Sequence, residues 1–452
     1  MPASARPFAV TAVAAALLAL TALAAPAAAQ SLVQLYEAAH QHDAALQSAR
    51  AQMDAAQARA AQARAGLLPQ AGLNLGASRT HSDVNLGGAD HGRAFGQYQA
   101  ALAASQPLYR PASRIAWQQG KHLAEAAQAQ WTAAGQDLVV RVAQAYFDVL
   151  AAQDAVTLAR ALKAAVAQQR EAAHQHFEAG NATITDSREA EARHDLAHAQ
   201  EVAADNELRV ARLALEQLTG RSGVAPRPLA TPVALPAPQP DSADAWAALA
   251  ASVHPALHQA RLALDVARLE TDKAKTGHLP TVELQASYAW QHYPDGNPAI
   301  SPAPFARYRA RNATLGVTVN VPLFAGFAVQ NRVRETLSLQ DKARADLENA
   351  ERQVTQATRA AFHGVQSALA QVKALEAAEQ SSLTALEANR TGYEVGVRIN
   401  IDVLNAQSQL YQTRRDLARA RYAALTGLLR LKQASGTLQP RDLQPINALL
   451  AP

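Results

Sequence analysis

The chain has 452 residues, enough for two or three ordinary domains; hydrophobic residues make up 49% of it, yet aromatics supply only 5%. Alanine makes up much of the difference and buries little area per residue, which argues against a compact globular core and for long helices packed through small side chains. A net charge of +4 without Lys/Arg runs interleaved with aromatics argues against nucleic acid as a partner, and the lack of cysteine excludes disulfides, thiolate metal sites and a lipidated N-terminal cysteine.

Residues 1–29 read as a secretory signal peptide: Arg6, an apolar run from Phe8 to about Ala25, and Ala27-Ala28-Ala29 before Gln30. No later stretch approaches the roughly 18 apolar residues of a spanning helix, so an exported chain that crosses a membrane must do so as β-strands. From Leu32 to Ala65 the spacing predicts one helix, ended by Gly66 and Pro69. Two period-two stretches follow, at about 70–80 and 97–107, separated by a loop composition around Gly87-Gly88. A helical hairpin then covers about 113–219; its first arm, at 1.5 Å per residue, is about 100 Å long. Its tip is Gly180-Asn181, and Gly220 ends its second arm.

Residues 221–243 carry six prolines from Pro226 to Pro240 and read as an extended linker. The order of elements then returns. Gly66 and Leu68-Pro69 correspond to Gly277 and Leu279-Pro280, offset 211; Phe147 corresponds to Phe362, offset 215. Gly180, Asp186 and Gly220 correspond to Gly396, Asp402 and Gly436, offset 216. Two repeats are therefore expected, 30–220 and 244–436, with a C-terminal tail over 437–452. The second repeat places strands at about 280–292 and 312–322 and a hairpin at about 327–433.

In the second pair of strands Val282, Leu284, Ala286, Tyr288 and Trp290 alternate with Thr281, Glu283, Gln285 and Ser287. About ten residues with one apolar and one polar face suit strands with lipid outside and water inside. Tyr288, Trp290, Tyr293, Phe305 and Tyr308 are candidates for an aromatic girdle. Four strands are too few to close a barrel, and an open edge in hydrocarbon would leave N–H and C=O groups without partners. The strands must be shared among copies, whose number these patterns do not give.

The chain resembles the TolC family of outer-membrane exit ducts. The resemblance covers nearly all of the mature chain and is carried by Leu68-Pro69-Gln70, Ala145 to Leu150, Ile184-Thr185-Asp186, Gly277 to Thr281, Tyr393 to Leu404 and Ala420-Arg421-Tyr422. It implies an α+β membrane protein: a homotrimer with a twelve-stranded transmembrane β-barrel, four strands per chain, continued by a long α-helical barrel of coiled-coil hairpins. It also implies a place in the outer membrane reaching into the periplasm, a periplasmic adaptor protein, and an inner-membrane transporter of the RND, ABC or MFS type. No cofactor and no metal are implied.

By the same resemblance Tyr393 and Arg398 fall on latch residues of the second hairpin, and Thr185 and Asp186 on their partners in the first. Asp402 falls on an acidic ring of the pore constriction. Asn405 stands where a second ring is acidic, leaving three carboxylates in place of six and weakening both cation selectivity and block by multivalent cations. Gly180, Asn181, Gly396 and Val397 form the tips on which an adaptor docks. From the residues alone, Asp186 also reads as a helix cap, Asp402 as an acid favoured by the helix dipole, and Arg398 as a solvated tip residue.

His40-x-His42 and His174-x-His176 point to different sides of a helix, and no hydrolase, zincin or phosphate-loop motif is present, so an enzyme is not expected. A periplasmic coiled-coil adaptor is the competing function. It would not need four alternating strands or two complete hairpins.

Overall fold

The computed structural model describes residues 29–86, 89–180, 182–230, 232–296 and 307–451. All but the last residue of the stretch read as a signal peptide lies outside these, as do Asn181 and Phe305. Chain contacts divide the protein into two units, each drawn from both halves of the sequence. The first contains residues up to Ser48, Thr132–Pro255 and everything from Arg352; the second contains Ala49–Trp131 and Ala256–Glu351.

In the second unit four strands, β1 (Gln70–Leu86), β2 (Ala89–Tyr109), β3 (Thr281–Tyr293) and β4 (Tyr308–Asn320), form one antiparallel sheet in that order. β1 and β2 run well past the expected ends. His81, Ser82 and Asp83 pair in register with Ala94, Arg93 and Gly92, so residues read as a loop from their Gly, Asp and His content prolong a hairpin. Backbone pairing, once in register, carries residues of poor strand propensity.

Register fixes the faces, because alternate residues share a side. Leu73, Leu75, Leu102, Tyr288, Leu315, Val317 and Val319 lie on one face, all exposed, Leu315 at 76%. Asn74, Gln99, Gln285, Ser287 and Thr314 lie on the other. Tyr293 and Tyr308, expected in a girdle with Tyr288 and Trp290, pair with each other on the polar face, rings 5.9 Å apart.

The helical part of this unit is tied through Glu270. Its carboxylate accepts from Gln119 Nε2 (2.9 Å), Lys273 Nζ (3.0 Å) and Arg332 Nη2 (2.7 Å). Burial works to raise its pKa, but these donors outweigh it and hold the group at about 2.

The first unit is helical. Helix α1 (Leu32–His42) opens with a reciprocal capping box between Ser31 and Gln34 and buries Leu32, Leu35 and Ala39. It stops at Asp43, where the backbone turns extended (ψ 114°) and the carboxylate accepts from Leu46 N–H at 2.7 Å, starting α2 (Ala44–Ala65). The single helix expected over 32–65 is therefore two. An Asp side chain that caps the next helix competes with the helix it interrupts. The second half breaks at the matching place, between α5 (Ala243–Val253) and α6 (Pro255–Lys275).

Long helices dominate the rest: α3 (Pro111–Glu178) with α4 (Ile184–Thr219), and α7 (Ala328–Glu394) with α8 (Asn400–Ala434). Their contacts are small clusters such as Ala155, Val156 and Ala204, or Val372, Leu417, Ala420 and Ala424. The stretch read as a linker is pinned: Tyr146 Oη donates to the carbonyls of Arg227 (2.9 Å) and Gln30 (3.2 Å). The C-terminal tail is also packed. Its short helix α9 (Leu443–Asn447) buries Leu443 and Ile446, and Asn447 Oδ1 accepts from Val33 N–H at 3.4 Å.

Among the described residues no helix is long and apolar enough to cross a membrane.

Candidate functional site

The two hairpin tips both belong to the first unit, and each turns on a left-handed glycine: Gly180 at φ 74° and Gly396 at φ 77°. In the second tip α7 ends at Glu394, and Gly392 C=O accepts both Val397 N–H (2.8 Å) and Arg398 N–H (3.0 Å). This brings the Arg398 stem against Gly392, where an added Cβ would come within 2.7 Å of Arg398 Cγ. Only a residue without a side chain lets the arginine fold back over the turn.

Arg398 Nη1 then lies 3.6 Å from Asp402 Oδ2, one helical turn on. The arginine is mostly exposed, so this i,i+4 pair is worth only about 0.3–0.5 kcal/mol. Asp186 is occupied differently. Its Oδ2 accepts from Thr183 N–H (3.1 Å) and Thr183 Oγ1 (2.8 Å), while Thr183 Oγ1 accepts from Asp186 N–H (3.2 Å). Within one chain, then, Asp186 closes a capping box on Thr183, the N-cap of α4, and does not meet Arg398, while Thr185 is exposed beside it.

Tyr393 links the two tips. It packs on the cluster of Leu386, Val403 and Leu410, with its ring edge-on to His176 at 6.3 Å. Burial raises its pKa, and the negative charge of Asp186 adds to the shift. Asn405 Oδ1 accepts from Arg193 Nη2 at 2.9 Å. Arg193 escaped the sequence reading, but it stands seven residues beyond Asp186 on the same helix, α4. Two helical turns return a side chain to the same face. Deeper in, the Gln169 and Asn400 side-chain amides hydrogen-bond, and Asn400 and Gln407 are buried.

Apolar side chains crown the tips. Ile184, Val395, Val397 and Ile399 are all at least half exposed. No group of His, Asp and Glu among the described residues could hold a metal ion.

A family profile described as "Outer membrane efflux protein" matches residues 35–221 and again 246–437. The chain is 33% identical over 420 residues to the outer membrane protein TolC of Vibrio cholerae, covering 93% of this chain and 94% of that one. It is 31% identical over 435 residues to the alkaline protease secretion protein AprF of Pseudomonas aeruginosa, covering 93% and 87%. The crystal structure of the outer membrane protein VceC from Vibrio cholerae superimposes with a TM-score of 0.75 at 20% identity, covering 90% of this chain and 96% of that one.

Proposed function

Because the chain belongs to the outer membrane efflux protein family, the TolC family that its sequence resembles, we propose that three copies assemble one closed exit duct. The protein is an outer-membrane exit duct; the trimer, its twelve-stranded barrel and the gate are our reading of how it works. One observation carries that reading: a four-stranded sheet with an exposed apolar face, a polar face, and two unpaired edge strands, β1 and β4. In hydrocarbon those edges need partners, and β4 of one copy offers them to β1 of the next. Three sheets give twelve strands with the polar faces turned to a water-filled lumen.

The helices of the sister subunits continue the wall. Leu196, Val202, Val210 and Leu213 of α4 are more than half exposed in the single chain and suit a neighbouring helix. The match of one family description to 35–221 and to 246–437 supports two repeats, each supplying two strands and a hairpin.

At the tips, Arg398 holds Asp402 only weakly, so a neighbouring subunit's Asp186, Thr185 or Tyr393 can compete for it. Such a charge-assisted bond between neighbours closes the duct, and an adaptor docking on Gly180, Asn181, Gly396 and Val397 releases it. Asp402 and Asn405 set the constriction. The cargo is handed over by an inner-membrane transporter of the RND, ABC or MFS type through that adaptor. AprF is named for protease secretion and the family for efflux, so both secreted protein and small molecules fit.

The test is the mature protein in detergent and in planar bilayers. Trimers and single-channel conductance are expected, and Val317→Pro, which breaks the backbone of the edge strand β4, should abolish trimers. A water-soluble monomer with no affinity for bilayers would overturn the reading.

A further inference from the structure

The apolar face of the sheet ends, on the side away from the helices, in a belt that is aromatic and cationic at once. Register places Tyr98 opposite His292 and His292 opposite Arg309; one step nearer the helices, Ala100 lies opposite Trp290 and Trp290 opposite Arg311. On β1 the same face carries Arg79, opposite Gly96, with His81 and Asp83 beyond it. The rings form a continuous stack, Tyr98 to His292 at 6.4 Å and Trp290 to His292 at 5.9 Å.

Arg79, Arg309 and Arg311 are exposed, and none of them makes an ion pair among the described residues. Of the carboxylates described at this end, Asp83 lies 3.2 Å from His81 Nε2 on the β1 face it shares with Arg79, and Asp295 Oδ2 accepts from Gly96 N–H at 3.1 Å. Three guanidinium groups thus share the outward face with Leu73, Leu75, Leu102 and Leu315, just beyond the apolar band. On a face meant for water this order would be unremarked. On a face meant for lipid it puts aromatic rings at the headgroup boundary and guanidinium groups among the headgroups.

We infer that this belt binds the phosphate groups of the phosphorylated saccharolipid in the outer leaflet, with Arg309 and Arg311 as the principal contacts and Trp290 and Tyr98 against its acyl–sugar boundary. The inference rests on the duct reading, since it takes the apolar face as the lipid-facing one and the strand ends away from the helices as the outer ones. Arginine suits the task because its planar fork meets two phosphate oxygens together. Two arginines per copy, repeated around a ring, make the attraction multivalent.

The experiment uses the full mature protein as purified in detergent. It is mixed with diphosphoryl lipid A, with dephosphorylated lipid A or with phosphatidylglycerol, and the lipid retained on the protein is counted by native mass spectrometry. Diphosphoryl lipid A should be retained at least roughly tenfold better than the dephosphorylated form, as expected for the loss of one to two phosphate–arginine contacts. The double variant R309Q/R311Q should lose that preference, R309K/R311K should keep part of it, and all should give wild-type conductance in planar bilayers. A Gln variant that retains lipid A as well as wild type, or a wild type that holds phosphatidylglycerol equally well, overturns the assignment while leaving the channel standing. A wild type with no conductance sinks the duct reading and this inference with it.

Discussion

Arg141 grips Asp43 with two guanidinium nitrogens, Nη1 to Oδ2 at 2.9 Å and Nη2 to Oδ1 at 3.2 Å. The aspartate is buried, and one of the same oxygens caps the helix that begins beside it by accepting from Leu46 N–H. One side chain thus ends α1, starts α2 and anchors both to α3.

That double duty gives the first prediction. Asp43→Ala should destabilise the protein by about 1–3 kcal/mol, combining a lost cap with a lost charge-assisted bond. Asp43→Asn keeps a cap acceptor and should recover part of the loss. Arg141 also pairs with Asp137 at 2.6 Å, which limits the damage. The hydrogen bond from Arg141 holds the Asp43 pKa below the usual range. The stabilisation is therefore complete above the unfolded carboxylate pKa and fades as pH falls through the lower folded value. Urea unfolding at pH 7 and pH 3 checks both points; an equal Asp43→Ala deficit at the two pH values would refute the linkage.

A second buried pair behaves in the opposite way. Tyr422 Oη donates to Asp154 Oδ2 at 2.6 Å, and its ring stacks on Phe147 at 5.7 Å. Burial raises the Asp154 pKa, and the Tyr422 bond and the charge of Arg421 only partly offset it. A raised carboxylate pKa costs stability above the folded value, and the cost vanishes below the unfolded one. Tyr422→Phe removes the donor and should cost about 1–2 kcal/mol at neutral pH. The deficit should shrink on acidification towards pH 4, as the protonated acid no longer needs that donor. Thermal melts across that range decide it, and a deficit that grows in acid would contradict the sign.

These two pairs also show where the sequence was legible and where it was not. The long helices were plain because nothing in 113–178 or 328–394 interrupts them strongly. The break at Asp43 was hidden, since one Asp in an Ala- and Gln-rich run looks like a helical surface residue until its carboxylate is seen to cap Leu46. Strand ends were hidden for a different reason: His81–Asp83 and Gly92–Ala94 carry loop chemistry, yet backbone pairing in register carries the hairpin through them. At the tips, Gly396 announced a turn, but the closeness of Gly392 to Arg398 depends on how that turn folds back.

That closeness supplies the third prediction. Arg398→Ser deletes the proposed latch, and Gly392→Ala displaces it sterically, because the new Cβ would crowd Arg398 Cγ. A bond worth about 1 kcal/mol lost from each of three subunits shifts the open–closed balance by roughly a hundredfold. Both variants should raise the mean single-channel conductance in planar bilayers, with the trimer intact. Unchanged closed-state conductance in both would count against a latch at Arg398.

The last prediction concerns the charge at the proposed constriction. Asn405 is held by Arg193 at 2.9 Å, so the level at which relatives of this type are expected to carry a second acidic ring here carries a neutral amide beside a cation. Restoring the acid alone is therefore not enough. Asn405→Asp creates a carboxylate within reach of Arg193, and the pair largely cancels. Combining Asn405→Asp with Arg193→Ala leaves the new charge uncompensated, worth about 1 kcal/mol of attraction for a cation 4 Å away in water. That is roughly a fivefold gain in local cation occupancy per site. Reversal potentials in a salt gradient should move little for the single variant and clearly towards cation selectivity for the double one. Block by a trivalent cation should set in at lower concentration in the same order. If the single variant alone matched the double, Arg193 would not be the neutralising group, and the weak acidic character expected of this gate would trace to position 405 by itself.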